Sequence, residues 1–202
     1  MMMSTRSYVS AVRSAGASEK RERVIQAAAR FLREAESVAS FSMDAVAKAA
    51  HVTRLTTYNQ FGSRRGLLEA VFDDIALRGR LTRIKDAMAM ADPRSGLDHL
   101  IEIFCDFWSS DPAIGRLHDA VAVDPEFAQA LLERNERRRQ LIEVLVARMT
   151  VDVKSRPAKR DAVDLIFALT SFAMFRMLAQ ERTAEAICAL IQDAAGAAID
   201  RK

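Results

Sequence analysis

Helices alone are expected from this chain of 202 residues. Apolar residues recur at helical spacing along most of its length, and no run alternates as a half-buried strand does. Glycine and proline are scarce, at 7 and 4 residues, and fall largely where periodic segments end. Hydrophobic residues make up 50 %, too many for a disordered chain. Two cysteines cannot build a disulfide scaffold, so burial must hold the fold, and a reducing compartment is expected.

The elements can be justified in order. Residues 1–17, rich in Ser, Ala and Arg, read as a mobile arm without the apolar block of a secretion signal. Ser18, with Glu19 behind it, suits a helix start. Val24, Ala27, Ala28, Phe31 and Leu32 then form one apolar stripe that fades near Glu36. Ser37–Phe41 is a connection. Ser42 precedes Met43, Val46, Ala47 and Ala50, a short second helix interrupted at His51-Val52. Thr53 can cap a third short helix reaching Tyr58 or Asn59, which Phe61-Gly62-Ser63 ends. Ser63 can cap a longer helix whose apolar side is Leu67, Leu68, Val71, Phe72 and Ile75, continuing to Leu81, Ile84 and Met88.

Asp92-Pro93, Asp111-Pro112 and Asp124-Pro125 mark boundaries, because the residue before proline is pushed out of the helical region. Leu97–Trp108 is one helix between them. Glu126–Met149 is a long amphipathic helix with Phe127, Leu131, Leu132, Leu141, Leu145 and Val146 as core candidates. Ser155-Arg156-Pro157 opens a helix to about Gln180, and Thr183–Asp200 is the last. The longest uncharged run, Leu165–Phe175, is eleven residues. A membrane span needs about 20, so no membrane partner is expected and the protein is placed in the cytoplasm.

The formal net charge of +3 is unevenly distributed. Residues 1–66 hold 11 Lys/Arg against 5 Asp/Glu, a net +6, and residues 67–202 hold 19 against 22, a net −3. The basic first third points to an anionic partner, with nucleic acid ahead of a membrane surface and chance clustering as the competing reading. The short pair at 42–61 sharpens this. Two helices joined by a turn of about three residues form the motif whose second helix enters the DNA major groove. Ala47, Ala49 and Ala50 supply the small residues such a crossing needs, and Val52 seals the corner. Arg54 can reach guanine O6 and N7 with its fork, and Thr56 can bond a base edge or touch a thymine methyl. Thr53 and Tyr58 suit phosphate contacts. Ser63 and Arg64, at a helix start, suit a phosphate as well.

At this point the chain resembles a known family. The run from Ser42 to Leu68 is similar to the signature of TetR-type (tetracycline-repressor-like) transcriptional regulators. The shared pattern is Val46 and Ala47 with Ala49-Ala50 ending the first motif helix, Val52 after the turn, Thr53 as cap, Tyr58, Phe61, a basic residue and Leu67-Leu68. Val24-Ile25-Gln26-Ala27-Ala28 with Phe31 matches the family's first helix, so the resemblance covers roughly residues 20–72. Four departures stand out: His51 where the family usually has glycine, Gln60 where it often has histidine, Arg64 for lysine, and no glycine before Ser42. A glycine at that turn takes positive φ, so His51 is expected to strain it. Gln60 can still donate to a phosphate.

The candidate DNA-binding set is therefore Ser42, Thr53, Arg54, Thr56, Tyr58, Asn59, Gln60 and Arg64, with Thr57 facing the core. The domains expected are the arm at 1–17, a three-helix DNA-binding domain at 18–66, and a ligand-binding and dimerisation bundle at 67–202. The resemblance implies an apolar small-molecule cavity in the bundle, for which Met88, Phe104, Phe107, Trp108, Phe172 and Met177 are candidates; ordinary core packing is the competing reading. The helix around Leu165–Leu178 is apolar nearly all round and must be covered on more than one side. The resemblance implies that the last two helices pair with those of a second copy, with Ala168, Ser171, Phe175, Ala186, Ala189 and Leu190 as candidates.

Arg137-Arg138-Arg139 reads as a solvated helix face. His51, His99 and His118 show no metal spacing with Cys105 or Cys188, neither cysteine lies in a redox motif, and no catalytic set stands out, so no metal, cofactor or enzyme activity is expected. The expected protein is a ligand-responsive regulator, a repressor that binds palindromic double-stranded DNA as a homodimer, its long fourth helix linking sensor to reading head. The alternatives are a helical interaction module that has lost DNA binding and a helical-bundle enzyme.

Overall fold

The computed structural model describes residues 5–34, 37–149 and 156–201, with side chains from residue 16 onward apart from 156 and 157. The described residues contain no strand, and no helix is long and apolar enough to cross a membrane. The α-helices run α1 Thr5–Glu34, α2 Met43–Ala49, α3 Arg54–Phe61, α4 Arg64–Arg78, α5 Ile84–Ala89, α6 Pro93–Ser110, α7 Ala113–Ala120, α8 Pro125–Met149, α9 Arg156–Leu169, α10 Phe172–Leu178 and α11 Ala184–Asp200. They fold as two compact units, the first from Met1–Asp74 with Pro112–Ala128 and the second from Ile75–Asp111 with Gln129–Lys202. This division lies beyond the expected boundary at residue 66 and gives the first unit a segment, α7, that the sequence did not mark as a helix.

In the first unit, α1 passes through Ser18 without a break, so the expected start there is corrected and residues 5–17 are helical rather than an arm. This stretch has no proline and only Gly16 to weaken it, so Ala, Arg and Ser residues continue the helix. The predicted stripe packs inward: Val24, Ala27, Ala28 and Leu32 are buried, and Phe31 meets Phe41 edge-on at 5.7 Å. Val46, Leu67, Leu68, Ile114 and Leu117 complete this core.

In the second unit, α6 is the central element, with Leu97, Leu100, Ile101, Ile103, Phe104 and Phe107 buried. Asp92 caps it, accepting from the amides of Arg94 at 3.2 Å and Ser95 at 2.9 Å, with Pro93 in the first turn. Two expected long helices are broken. The one beginning near Ser63 stops at Gly79-Arg80 and restarts as α5 after a 3₁₀ turn at Leu81–Arg83. A Cβ at Gly79 would lie 2.9 Å from the Phe107 ring, so close packing requires glycine there, and Arg80 then takes φ +57°. The freed carbonyls of Met88 and Met90 accept from Arg148 at 3.0 and 2.6 Å.

The second break, at Thr170-Ser171, divides the helix expected from Ser155 to Gln180 into α9 and α10; Ser155 itself lies outside the described residues. Thr170 turns its hydroxyl back to the Ile166 carbonyl at 2.9 Å, and Ser171 caps α10 by accepting from the Met174 amide at 3.2 Å. The Trp108 indole donates to the Thr170 carbonyl at 3.0 Å. Arg138 Nη1 donates to the Phe167 carbonyl at 3.1 Å and to Thr170 Oγ1 at 2.8 Å. Arg138 is thus only 4 % exposed, which corrects the expectation of a solvated arginine run. Its guanidinium lies 4.4 Å from the Phe167 ring centre, and no carboxylate pairs with it among the described residues. Burial, with Arg139 nearby, lowers its pKa to about 10, so it stays charged at neutral pH. Leu132, at 60 % exposure, and half-buried Leu141 are likewise not the core residues the periodicity suggested.

Candidate nucleic-acid interface

The site is built from two short helices and their turn. Ser42 starts α2 by accepting from the Ala45 amide at 3.1 Å. The helix ends at Ala50, and His51 follows at φ +53°. The His51 amide donates to the Lys48 carbonyl at 3.2 Å and the Val52 amide to the Ala47 carbonyl at 3.0 Å. These two bonds make the left-handed C-terminal motif that glycine usually closes, so the positive φ expected at residue 51 is present on a histidine. Val52 is half-buried behind the turn; Ala47 and Ala50 are buried, whereas Ala49 faces outward and is not part of the crossing.

Thr53 starts α3, its hydroxyl accepting from the Thr56 amide at 3.1 Å and lying 2.8 Å from the Thr56 hydroxyl. Gly62, at φ +73°, ends the helix, and its amide reaches the Tyr58 carbonyl at 2.8 Å. The first turn of α4 presses so closely on this end that a Cβ at Gly66 would fall 2.1 Å from the Phe61 carbonyl oxygen. One face of α3 is thereby fixed inward: Thr57 and Phe61 are buried, and Arg21 lies over the Phe61 ring at 5.0 Å.

The opposite face carries Arg54, Leu55, Tyr58 and Asn59, all exposed, flanked by half-buried Thr56. This is the spacing of one side of a helix. The Arg54 guanidinium is 3.1 Å from Asp44 on α2 and 5.2 Å from the Tyr58 ring centre. Both partners are open to solvent, so the pair orients Arg54 more than it stabilises the fold. Asp44 and Leu55 are additions that sequence reasoning missed. Leu55, 69 % exposed, is an apolar side chain on an outward helix face. The pairing of Asp44 with Arg54 could have been read from an acid on the first helix and a base at the start of the next.

Gln60 and Arg64 turn inward instead. Gln60 Nε2 donates to the Ala17 carbonyl at 3.1 Å, tying α3 to α1. Arg64 donates to the Val38 carbonyl at 3.4 Å, lies 3.9 Å from Asp124 and sits over the Phe41 ring. Ser63 caps α4 by accepting from the Gly66 amide at 3.2 Å.

In the second unit, four of the six expected ligand residues come together. Trp108 stands 6.0 Å from Phe104, 4.8 Å from Phe107 and 5.6 Å from Phe172 between ring centres. Met177 is 60 % exposed and outside this cluster, and Met88 is half-buried on α5. A cavity of about 740 Å³ lies between α8 and α9. Its lining mixes charged residues, among them Arg139, Glu143, Lys159 and Asp164, with Val146, Ala147 and Val163, and includes none of the six. Among the expected dimer residues, Ala168, Ala186, Ala189 and Leu190 are exposed and Ser171 is the half-buried cap of α10. Phe175 is buried within the unit and does not belong to that outward face.

Residues 25–71 match the family described as bacterial regulatory proteins, tetR family. The HTH-type transcriptional regulator EthR of Mycolicibacterium smegmatis is 33 % identical over 113 residues, 55 % of this chain and 52 % of that one. The chain thus matches over about half the length of this curated relative. Two solved structures share the fold at 18 % identity and a TM-score of 0.67. One is a putative TetR-family transcriptional regulator from Rhodococcus sp., covering 90 % of this chain and 100 % of that chain. The other is NalD of Pseudomonas aeruginosa, titled the secondary repressor of the MexAB-OprM multidrug efflux pump, covering 91 % and 96 %.

Proposed function

We propose, from the match of residues 25–71 to the tetR family of bacterial regulatory proteins, that the chain is a member of that family and a ligand-responsive, DNA-binding transcriptional repressor of the cytoplasm. The observation that carries the reading is the outward face of α3, held by the His51 turn and the Thr53 cap. In this reading α3 lies in the major groove. Arg54 takes a guanine edge, Thr56 and Asn59 bond neighbouring bases, and Leu55 meets a thymine methyl. Ser42, Thr53 and Tyr58 hold phosphates and set the register. Gln60 and Arg64 serve from inside, anchoring α3 and α4.

Two copies present two reading helices about 34–36 Å apart on a palindrome, joined through the exposed residues of α9 and α11. A small apolar ligand near Phe104, Trp108 and Phe172 favours one arrangement of the dimer and lowers DNA affinity by its differential affinity for the two states. The fourth helix carries that change between sensor and head. Repression is adopted from NalD, a repressor of the same fold.

Selection of bound duplexes from a random DNA pool tests the reading. An inverted-repeat consensus is expected, with affinity falling as salt rises. Arg54→Ala is expected to weaken the selected site by roughly 10- to 100-fold and to relax one base position, whereas Tyr58→Phe weakens all sequences alike. Failure to enrich any sequence, or parental affinity in Arg54→Ala, Thr56→Ala and Tyr58→Phe together, rejects it.

A further inference from the structure

Cys105 and Cys188 share no motif in the sequence, yet the fold sets them against each other within the second unit. Cys105 is buried on α6 and Cys188 is half-buried on α11. The helices run antiparallel in a register fixed by two side-chain contacts. The Arg94 guanidinium binds both oxygens of Asp200 at 3.0 Å, and Gln192 Nε2 donates to the Asp98 carbonyl at 3.0 Å. About three turns along α6 from Arg94 stands Cys105, and about three turns back along α11 from Asp200 stands Cys188. Asp98 and Cys105 on α6, and Gln192 and Cys188 on α11, lie at helical spacing on the faces that meet, so the two thiols are neighbours placed to share a hydrogen bond there.

The two sulfurs are unequal. The bond between them and then burial push the Cys105 thiol up. The same bond lowers Cys188, against its own partial burial and the carboxylates of Glu102, Asp106 and Asp98. Of the two, Cys188 is thus the readier to ionise and the more accessible. A reactive thiolate beside a protected second thiol is the layout in which one sulfur meets an oxidant and the other resolves the product. Cys188 also lies on the side of α11 away from the exposed Ala186 and Leu190, so association through those residues does not cover it.

We propose that Cys105 and Cys188 are an oxidation site at which a hydroperoxide drives an intrachain disulfide, stapling α6 to α11. Cys188 Sγ attacks one peroxide oxygen. The S–O bond forms, the O–O bond breaks, and the leaving alkoxide recovers the proton released on thiolate formation, departing as the alcohol, or as water from hydrogen peroxide. Cys105 Sγ then attacks the Cys188 sulfenic sulfur. The S–S bond forms, the S–O bond breaks, and the departing hydroxide takes the Cys105 proton and leaves as water. The sulfur pair loses two electrons and the peroxide gains two.

The test treats the full-length native protein with a small excess of hydrogen peroxide, blocks remaining thiols with N-ethylmaleimide after denaturation, and reads the intact mass without reductant. The expected product is a single chain lighter by two hydrogens, unlabelled, with the Cys105 and Cys188 peptides joined and separable by dithiothreitol. Cys105→Ser is expected to trap Cys188 as a sulfenic acid that dimedone labels, and Cys188→Ser to leave the Cys105 thiol unoxidised. The parent measurement decides the matter should either variant fail to fold. Two labelled thiols after treatment, Cys188 carried to sulfinic acid with Cys105 still free, or a link between two chains would each overturn the proposal.

Discussion

His51 occupies a backbone conformation that suits glycine. At φ +53° its Cβ crowds the backbone, yet the two amide bonds of the turn into the Lys48 and Ala47 carbonyls require that geometry. The left-handed region costs a non-glycine residue about 1–2 kcal/mol, and glycine gives back part of that gain through its larger unfolded-state entropy. His51→Gly is therefore expected to stabilise the protein by about 0.5–1 kcal/mol, a rise in Tm of ~1–4 °C. His51→Val, β-branched at the same φ, is expected to lower Tm. Thermal unfolding of the three proteins checks the order Gly, His, Val, and a variant at residue 51 that left Tm unchanged in both directions would remove strain from the account. This residue was legible in the sequence because its neighbours Ala50, Val52 and Thr53 fix where the turn lies. The direction of Arg64 and Gln60 was not. Their inward contacts go to Val38 and Ala17, carbonyls on separate segments to which no local spacing points.

At the scale of elements, what the sequence marked well were starts with a cap or a proline: Ser42, Thr53, Asp92-Pro93, Asp124-Pro125 and Thr183 each open a helix where expected. The breaks at Gly79-Arg80 and Thr170-Ser171 carry no proline and depend on distant partners. Arg138 is the clearest case. It sits in a run of charges whose periodicity suggests a wet face, but its donors cover the Phe167 carbonyl and the Thr170 hydroxyl, sites at the end of α9. Removing it takes a charged donor from both groups, and a hydrogen bond to a charged group contributes about 1.5–3 kcal/mol. Arg138→Met is expected to lower stability by about 2–4 kcal/mol, which urea unfolding followed by circular dichroism measures as a lower midpoint at unchanged slope. A native helical signal before unfolding keeps the comparison valid. A midpoint equal to the parent's would mean that the break between α9 and α10 stands without the arginine.

For the whole molecule, the charge layout and the outward face of α9 and α11 bear on one question, whether two copies must act together. A single reading helix contacts few bases, and its phosphate contacts recognise any sequence. Joining two heads makes the second contact intramolecular and raises affinity by about 10²–10⁴-fold where both half-sites are present. Leu165 on α9 and Leu190 on α11 are 41 % and 40 % exposed in the single chain, with Ala168, Ala186 and Ala189 exposed on the same two helices. Small residues beside exposed leucines permit close helix approach, and a charge placed among them would be desolvated on association. Leu190→Asp is thus expected to give a monomer by sedimentation at micromolar concentration while unfolding at the parent's temperature within a few degrees. Its affinity for a duplex with two half-sites should drop by about 10²–10⁴-fold, and its affinity for one half-site should be unchanged. The half-site control separates loss of pairing from damage to the head, because α3 lies in the other unit. A parent protein that sediments as a monomer, or a monomeric variant that still binds the two-site duplex like the parent, would show that recognition here does not depend on pairing through this face.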